Sequence, residues 1–281
     1  MRPAEAEQGY ALLSAVAAIA VFAALALSVL GGVQGGIVQA HAEIERARAD
    51  AAAEAGINLA LQNLLIEDRA FRWSIDGRSR SLQFGDAVLQ IRVEDQRGKI
   101  PLVALEEEQV GRMLELLGVS GDRLRVATDS LLDWLDDDDE PRGDGAELEF
   151  YAARGIHPRN GVPLSIDELA EVRGFDAALV ERLGALLTLN FGQGSFEWRH
   201  ADPIAIAVLS DGAEDAPEAI ERARELAGQR VAIELGEADL TGRPLAIVVD
   251  AYMPGGGHAR QSQIVELTGS AVRPYVIREA D

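Results

Sequence analysis

Cysteine is absent from this 281-residue chain, which excludes disulfides, thiol nucleophiles and Cys-ligated zinc or iron–sulfur centres together. Cations are scarce. Lys and Arg number 26 against 47 Asp and Glu, a formal charge of −21, and Lys99 is the only lysine. So acidic a surface repels phosphate backbones, and no nucleic acid is expected as a partner. The histidines, His41, His157, His200 and His258, are scattered without a shared spacing. H-E-x-x-H, G-x-S-x-G and a phosphate-cradling glycine loop are all missing, since Lys99 follows Arg97-Gly98 without the required glycines. No spacing selects a carboxylate pair for acid–base work, so the expectation is a protein that is not an enzyme.

A mean hydropathy of +0.01 averages one strongly apolar segment with a highly charged remainder. From Tyr10 to Leu30 the chain carries no charge and is dominated by Ala, Leu and Val, long enough as a helix to span roughly 30 Å of hydrocarbon. A cleaved secretory signal would have a shorter apolar core and a small-x-small cleavage site. The apolar run here is longer and no small-x-small site is followed by a clear break, since after Gly31, Gly32, Gly35 and Gly36 helix-forming sequence resumes. Ile57, Leu61, Leu64 and Leu65 make one apolar helical stripe, preceded by the small-residue face Ile44, Ala47, Ala51 and Ala55. One long helix is expected from the membrane into a separate domain, bending or melting locally at the glycines.

The junction Glu7-Gln8-Gly9-Tyr10-Ala11-Leu12-Leu13 resembles a type IV prepilin or pseudopilin. That resemblance implies processing by a prepilin peptidase between Gly9 and Tyr10. The fifth residue after Gly9, acidic in most such proteins, is Ser14 here, and Glu5 and Glu7 stand where basic residues usually precede the Gly.

Further on, Arg72–Ile75, Ser81–Phe84 and Ala87–Val93 read as short strands, with Asp76-Gly77 and Gly85-Asp86 as turns. Residues 105–190 then read as helices. Val110, Met113, Leu114 and Leu117 give one stripe. Leu124, Ala127, Leu131 and Leu135 give a second, with Asp122 as cap. A third opens on a Ser165/Glu168 capping box and ends at Gly174, and Leu179, Leu183, Leu186 and Leu187 give a fourth. Beyond Gly192 and Gly194, short helices are expected from Asp202-Pro203 and over Ala216–Ala227. Strands follow over Arg230–Leu235, Leu245–Met253, Gln261–Thr268 and Tyr275–Arg278.

Several segments resemble, in order, the minor pseudopilin K family of type II secretion systems (general secretion pathway protein K). They are Glu94-Asp95-Gln96-Arg97-Gly98-Lys99-Ile100-Pro101-Leu102, Leu131-Leu132-Asp133-Trp134-Leu135-Asp136-Asp137-Asp138, and Gly145-Ala146-Glu147 with Tyr151. Asn160-Gly161-Val162-Pro163-Leu164 with Asp167-Glu168-Leu169 continues the series. Pro101 replaces the family's Asn, and its later N-T-A-rich segment is poorly kept at Ala201–Ala205.

The resemblance implies an α+β pseudopilin fold, a long N-terminal helix packed on an antiparallel sheet that is interrupted by a large all-helical insertion. The expected division is leader 1–9, transmembrane helix 10–30, amphipathic spine helix 31–68, first part of the β domain 69–104, helical insertion 105–190 and second part of the β domain 191–281. It further implies a structural tip subunit of the type II secretion pseudopilus that supports protein export across the outer membrane. Such a subunit is single-pass in the bacterial inner membrane, with its C-terminal domain in the periplasm. Its partners would be the other minor pseudopilins, of I and J type, joined through the Ala- and Leu-rich face of the 37–66 helix. The alternative is a membrane-anchored periplasmic binding protein whose acidic helical domain captures a basic partner without any fibre.

Residues 129–151 hold ten carboxylates against one cation, Arg142. Four adjacent aspartates repel one another unless water or a cation screens them. Calcium, which takes six to eight hard oxygens from flexible loops, is the natural cation, with Asp136, Asp138 and Glu147 as ligands. The spacing is not that of an EF-hand, whose sixth position is Gly where Pro141 stands here. A solvated acidic loop is the bland alternative, and calcium binding in the K family favours the metal. Finally, Leu169–Asp176 resembles a helix-hairpin-helix. With Asp176 in place of its second Gly, a structural hairpin is expected rather than a phosphate contact.

Overall fold

The computed structural model describes residues 4–68, 70–192, 195–198, 201–210 and 239–280, with the side chains of the first helix described over 15–23 and from Val38 onward. The expected helix Ala216–Ala227 and strand Arg230–Leu235 lie outside the described residues.

Helix α1 runs Ala4–Leu64 as one element, without a break at Gly31–Gly36. Its sequence is almost free of β-branched residues between Ala40 and Gly56, so each turn costs little side-chain entropy. Among the described residues no helix is long and apolar enough to cross a membrane, and most of the run from Tyr10 to Leu30 lies beyond those whose side chains are described.

Strands β1 (Arg80–Phe84), β2 (Ala87–Asp95), β5 (Pro244–Tyr252), β6 (His258–Leu267) and β7 (Tyr275–Ala280) form an antiparallel sheet in the order β1-β2-β5-β6-β7. Along β2, Ala87, Leu89, Ile91 and Val93 alternate inward and pack on α1 with Ile247 and Val249 of β5. The α1 side of that core is Ala49, Ala53, Ile57, Ala60, Leu61 and Leu64. Gly56 lets α1 approach, because a Cβ there would stand 2.7 Å from Val249 Cγ1. The face carrying Ile57 and Leu61 is therefore consumed by the sheet, which corrects its expected use as the surface for partners. What α1 leaves in solvent is the other stripe, Ile44, Ala47 and Ala51.

Between β2 and β5 the chain builds a helical block with its own core. It comprises α2 (Glu107–Leu116), α3 (Gly121–Leu135), α4 (Leu148–Ala152) and α5 (Ala177–Leu186), with a 3-10 helix over Ile166–Glu171 and α6 (Pro203–Leu209) closing it. Trp134 and Tyr151 meet edge-to-face at 5.1 Å in its centre, among Met113, Leu114, Leu131 and Leu183. Two short strands, β3 (Ile100–Pro101) and β4 (Leu187–Thr188), pair in parallel where the chain leaves for the block and where it returns. Beside them Asp95, wholly enclosed, takes Arg97 at 3.2 Å and Arg243 at 3.0 Å, and Gly98 lies against the backbone of Ala201. The α+β arrangement is thus a helix-backed antiparallel sheet interrupted by a helical insertion, as expected.

Three local expectations differ. Arg72–Ile75 is not a strand, because Trp73 instead stacks under Arg80 and only Asp76 bridges to Glu94. Ser165 makes no side-chain cap, and Glu168 reaches past it to accept from Leu164 N–H at 3.1 Å, so this segment winds as a 3-10 helix. Ser120 rather than Asp122 occupies the N-cap of α3.

Candidate metal centre

The acidic segment is organised by Asp133, which the sequence reading gave no part in the metal site. Asp133 lies on the buried face of α3 and is fully enclosed. Helix α3 ends at Leu135, and the chain folds back so that Arg142 N–H, Arg142 Nη1 (2.7 Å) and Ala146 N–H (2.8 Å) all donate to the Asp133 carboxylate. Gly145 makes this possible, since a Cβ there would collide with the same carboxylate. One turn earlier Asp129 accepts from Asp144 N–H at 2.9 Å, and Arg173 donates to the Gly145 carbonyl at the same distance. These bonds wrap residues 136–147 around the end of α3.

The wrapped loop brings the three expected ligands together. One carboxylate oxygen each from Asp136, Asp138 and Glu147 lies within 4.8 Å of the others. Asp136 faces two ways. Its Oδ2 receives Arg142 Nη1 at 2.5 Å, while its Oδ1 is buried with no hydrogen-bond partner. Glu147, at the N-cap of α4, is 3% exposed, and both of its carboxylate oxygens are buried without partners. Asn160 joins from a distance in sequence, its φ of 49° in the left-handed region. Its Nδ2 donates to the Asp138 carbonyl at 2.5 Å and to Asp139 Oδ1 at 2.9 Å, and its own Oδ1 is a further buried acceptor without a donor. In the sequence Asn160-Gly161 stood only within a segment resembling the K family, and nothing in its spacing tied it to the acidic loop.

Burial pushes the Glu147 carboxyl up to about 7, reinforced by the charges of Asp133, Asp136, Asp139 and Asp138. Arg142 is held firmly protonated, chiefly by its bond to Asp136. The fit to a hard cation is therefore good. Carboxylate oxygens of Asp136, Asp138 and Glu147 converge, those of Asp136 and Glu147 include buried oxygens without donors, the neighbouring acids raise the cost of leaving them bare, and Arg142 is already spent on Asp133 and Asp136. When bound, such a cation neutralises the clustered charge and fixes the loop. Gly9 and Tyr10 fall within α1 among residues whose side chains are not described.

The hairpin-like turn at Gly174 faces inward. Arg123 donates from Nε to the Gly174 carbonyl at 2.9 Å and pairs with Asp176 at 2.7 Å, while Asp176 also caps α5 through Leu179 N–H. A Cβ on Gly174 would press on the backbone of Ala127 in α3.

Residues 91–190 match the family model described as type II secretion system (T2SS), protein K. A type II secretion system protein K of Dickeya chrysanthemi is 43% identical over 76 residues, which is 27% of this chain and 21% of that protein. The protein of the same description from Klebsiella pneumoniae is 37% identical over 94 residues, covering 33% of this chain and 28% of the relative. The matched part thus spans under a third of either relative. In three dimensions the chain is similar to a chain of the crystal structure of the GspK-GspI-GspJ complex from the enterotoxigenic Escherichia coli type 2 secretion system. The TM-score is 0.64 at 16% identity, over 86% of this chain and 98% of that one, a likeness of fold. Residues 91–190 are thus the part of this chain that is similar to the type II secretion system protein K family.

Proposed function

We propose that this chain is a minor pseudopilin that works as a structural subunit at the tip of a type II secretion pseudopilus, supporting export across the outer membrane, and that it is not an enzyme. One observation carries the reading: the helical block between β2 and β5, matched by the family model, is seated on an α1-backed sheet. Such bulk is hard to place along a fibre shaft and harmless at its end. Ser14 points the same way. In pseudopilins the acid at this position pairs with a neighbour's N-terminal amine, and a subunit with nothing above it needs none.

The uncharged run Tyr10–Leu30 is the inner-membrane anchor, the C-terminal domain is periplasmic, and a prepilin peptidase removes residues 1–9. The fold-matched structure is a complex of GspK with GspI and GspJ, and we carry that partnership over to I- and J-type minor pseudopilins. Calcium is the cation assigned to Asp136, Asp138 and Glu147, on the strength of their convergence and of the orphaned oxygens on Asp136 and Glu147.

The test is co-purification of the full chain, in detergent, with the I- and J-type minor pseudopilins of its own secretion system. A complex that weakens on Ala47→Arg or Ala51→Arg, both in solvent on α1, supports the tip. A monodisperse chain that ignores those partners, with secretion intact after gene deletion, overturns it.

A further inference from the structure

Along β2, Arg92 and Glu94 alternate with Ile91 and Val93, which face α1, so the two charged residues stand on the opposite face of the sheet. There, between sheet and helical block, a cleft of about 430 Å³ remains open. Its floor is apolar, with Val248 and Ile264 on the sheet side and Leu187 and Leu189 on the side of the block. Three cations line it, Arg92, Lys99 and Arg260, against two carboxylates, Glu94 and Glu279. In a chain of net charge −21 the cleft thus reverses the prevailing sign.

The carboxylates present do not satisfy these cations. Glu279 is engaged by Asn190 Nδ2 at 2.6 Å. Glu94 is shared, 3.9 Å from Arg92 Nη1 and 3.8 Å from Lys99 Nζ, both beyond hydrogen-bond reach. Lys99 is a second and independent sign of a missing acceptor. Its side chain is only 21% exposed and its ammonium has three donors, yet the one hydrogen bond it makes, to the Gly184 carbonyl, is 3.5 Å long. The Arg260 guanidinium has no ion pair among the described residues, and Asp250, opposite it in the ladder, turns to His258 at 3.2 Å. Half-enclosed cations short of acceptors, set over an apolar floor, call for an anion from outside.

We propose that this cleft docks an acidic segment of a partner protein, its carboxylates reaching Arg92, Lys99 and Arg260 and a neighbouring apolar side chain lying on Val248 and Ile264. The charge of the whole chain opposes such a segment at long range, so the attraction is confined to the cleft. Selectivity then comes from contact rather than from steering. Neither the fibre nor the candidate cation is needed for this contact, and its failure leaves both of those readings standing.

The test is calorimetric titration of the full chain, in detergent, with a blocked Ala-Glu-Val-Glu-Ala peptide. Controls carry Gln for each Glu, Lys for each Glu, or Ser for Val. The Glu peptide should bind, and the Gln and Lys peptides should bind about tenfold more weakly or worse, although general attraction to an acidic protein would favour the Lys peptide. The Ser peptide should fall between. Arg260→Gln, at an exposed position, should cost about threefold without changing the circular dichroism spectrum. Glu94→Gln removes the competing carboxylate and should tighten binding, a gain that loss of a merely structural group does not produce. Bound peptide should also shield Lys99 from acylation. Equal binding of the Glu and Gln peptides, preference for the Lys peptide, no binding at all, or binding indifferent to both substitutions overturns the proposal.

Discussion

Asp95 and Arg243 stand 148 positions apart, and Arg243 Nη1 donates to Asp95 Oδ2 at 3.0 Å. The bond ties the last residue of β2 to the approach of β5, across the mouth of the helical insertion. Arg97 donates to the same carboxylate from its backbone N–H and from its guanidinium, and Glu197 reaches Arg243 at 3.6 Å. Asp95→Ala leaves two largely buried guanidinium groups facing a void. A loss of about 3–5 kcal/mol is expected, read from chemical denaturation. The double variant with Arg243→Ala should lose less than the sum of the two single changes.

A second expectation concerns pH. The Glu147 carboxyl is raised to about 7 in the folded, metal-free chain, so between its ordinary value and 7 the folded state holds a proton that the unfolded chain has released. Stability in chelator should therefore fall as pH rises from about 5 to about 8. Glu147→Gln should flatten that slope, and saturating calcium, which replaces the proton, should remove it. Thermal melts across this range with calcium and with chelator decide the matter. A midpoint indifferent to calcium at every pH rejects the assigned metal.

Close packing of α1 on β5 makes Gly56 intolerant of size. Gly56→Leu drives a side chain into Val249, and a loss of about 1–3 kcal/mol is expected although leucine is the better helix former. Ala51→Leu, one turn away and in solvent, serves as the control and should leave the denaturation midpoint nearly unchanged.

Processing is checked by mass. The mature protein extracted from membranes should begin at Tyr10, and Gly9→Val should leave the leader attached.

Lys99 offers a built-in reporter of the junction. Burial lowers its pKa, and it donates towards the Gly184 carbonyl near the end of α5 while facing Glu94 at 3.8 Å. As the sole lysine, it should acylate slowly in the intact chain and much faster in Asp95→Ala, as followed by peptide mapping.

The sheet strands after residue 243 were legible because apolar runs such as Leu245–Val249, buried on both faces, have no other plausible home. The helices α2, α3 and α5 announced themselves by stripes whose members, Val110, Met113, Leu131 and Leu183, do form the core. The split between Ile57, which is buried, and Ile44, which is not, was invisible, because both lie on good helical stripes and only the sheet chooses between them. In the candidate site, Asp136, Asp138 and Glu147 could be named from local crowding. Asp133 and Asn160 stood out only as members of the family's segments and Arg142 only as the lone cation of residues 129–151, without a role in the site. Their parts depend on a loop folding back onto its own helix and on a contact from 22 residues away.

The parallel ribbon of Ile100 with Leu187 bears on the order of folding. Strand β5 is the middle of the sheet, and its partner β2 was made some 150 residues earlier, a separation that is slow to close in a loose chain. The helical block, rich in local contacts, condenses sooner and delivers its two ends side by side. By joining Ile100 to Leu187 it shortens the loop that must close between β2 and β5. Until it has formed, β2 carries an open edge able to pair with a neighbouring chain. Substitutions deep in the block, at Trp134 or Leu131, should thus provoke aggregation through a sheet that neither residue touches.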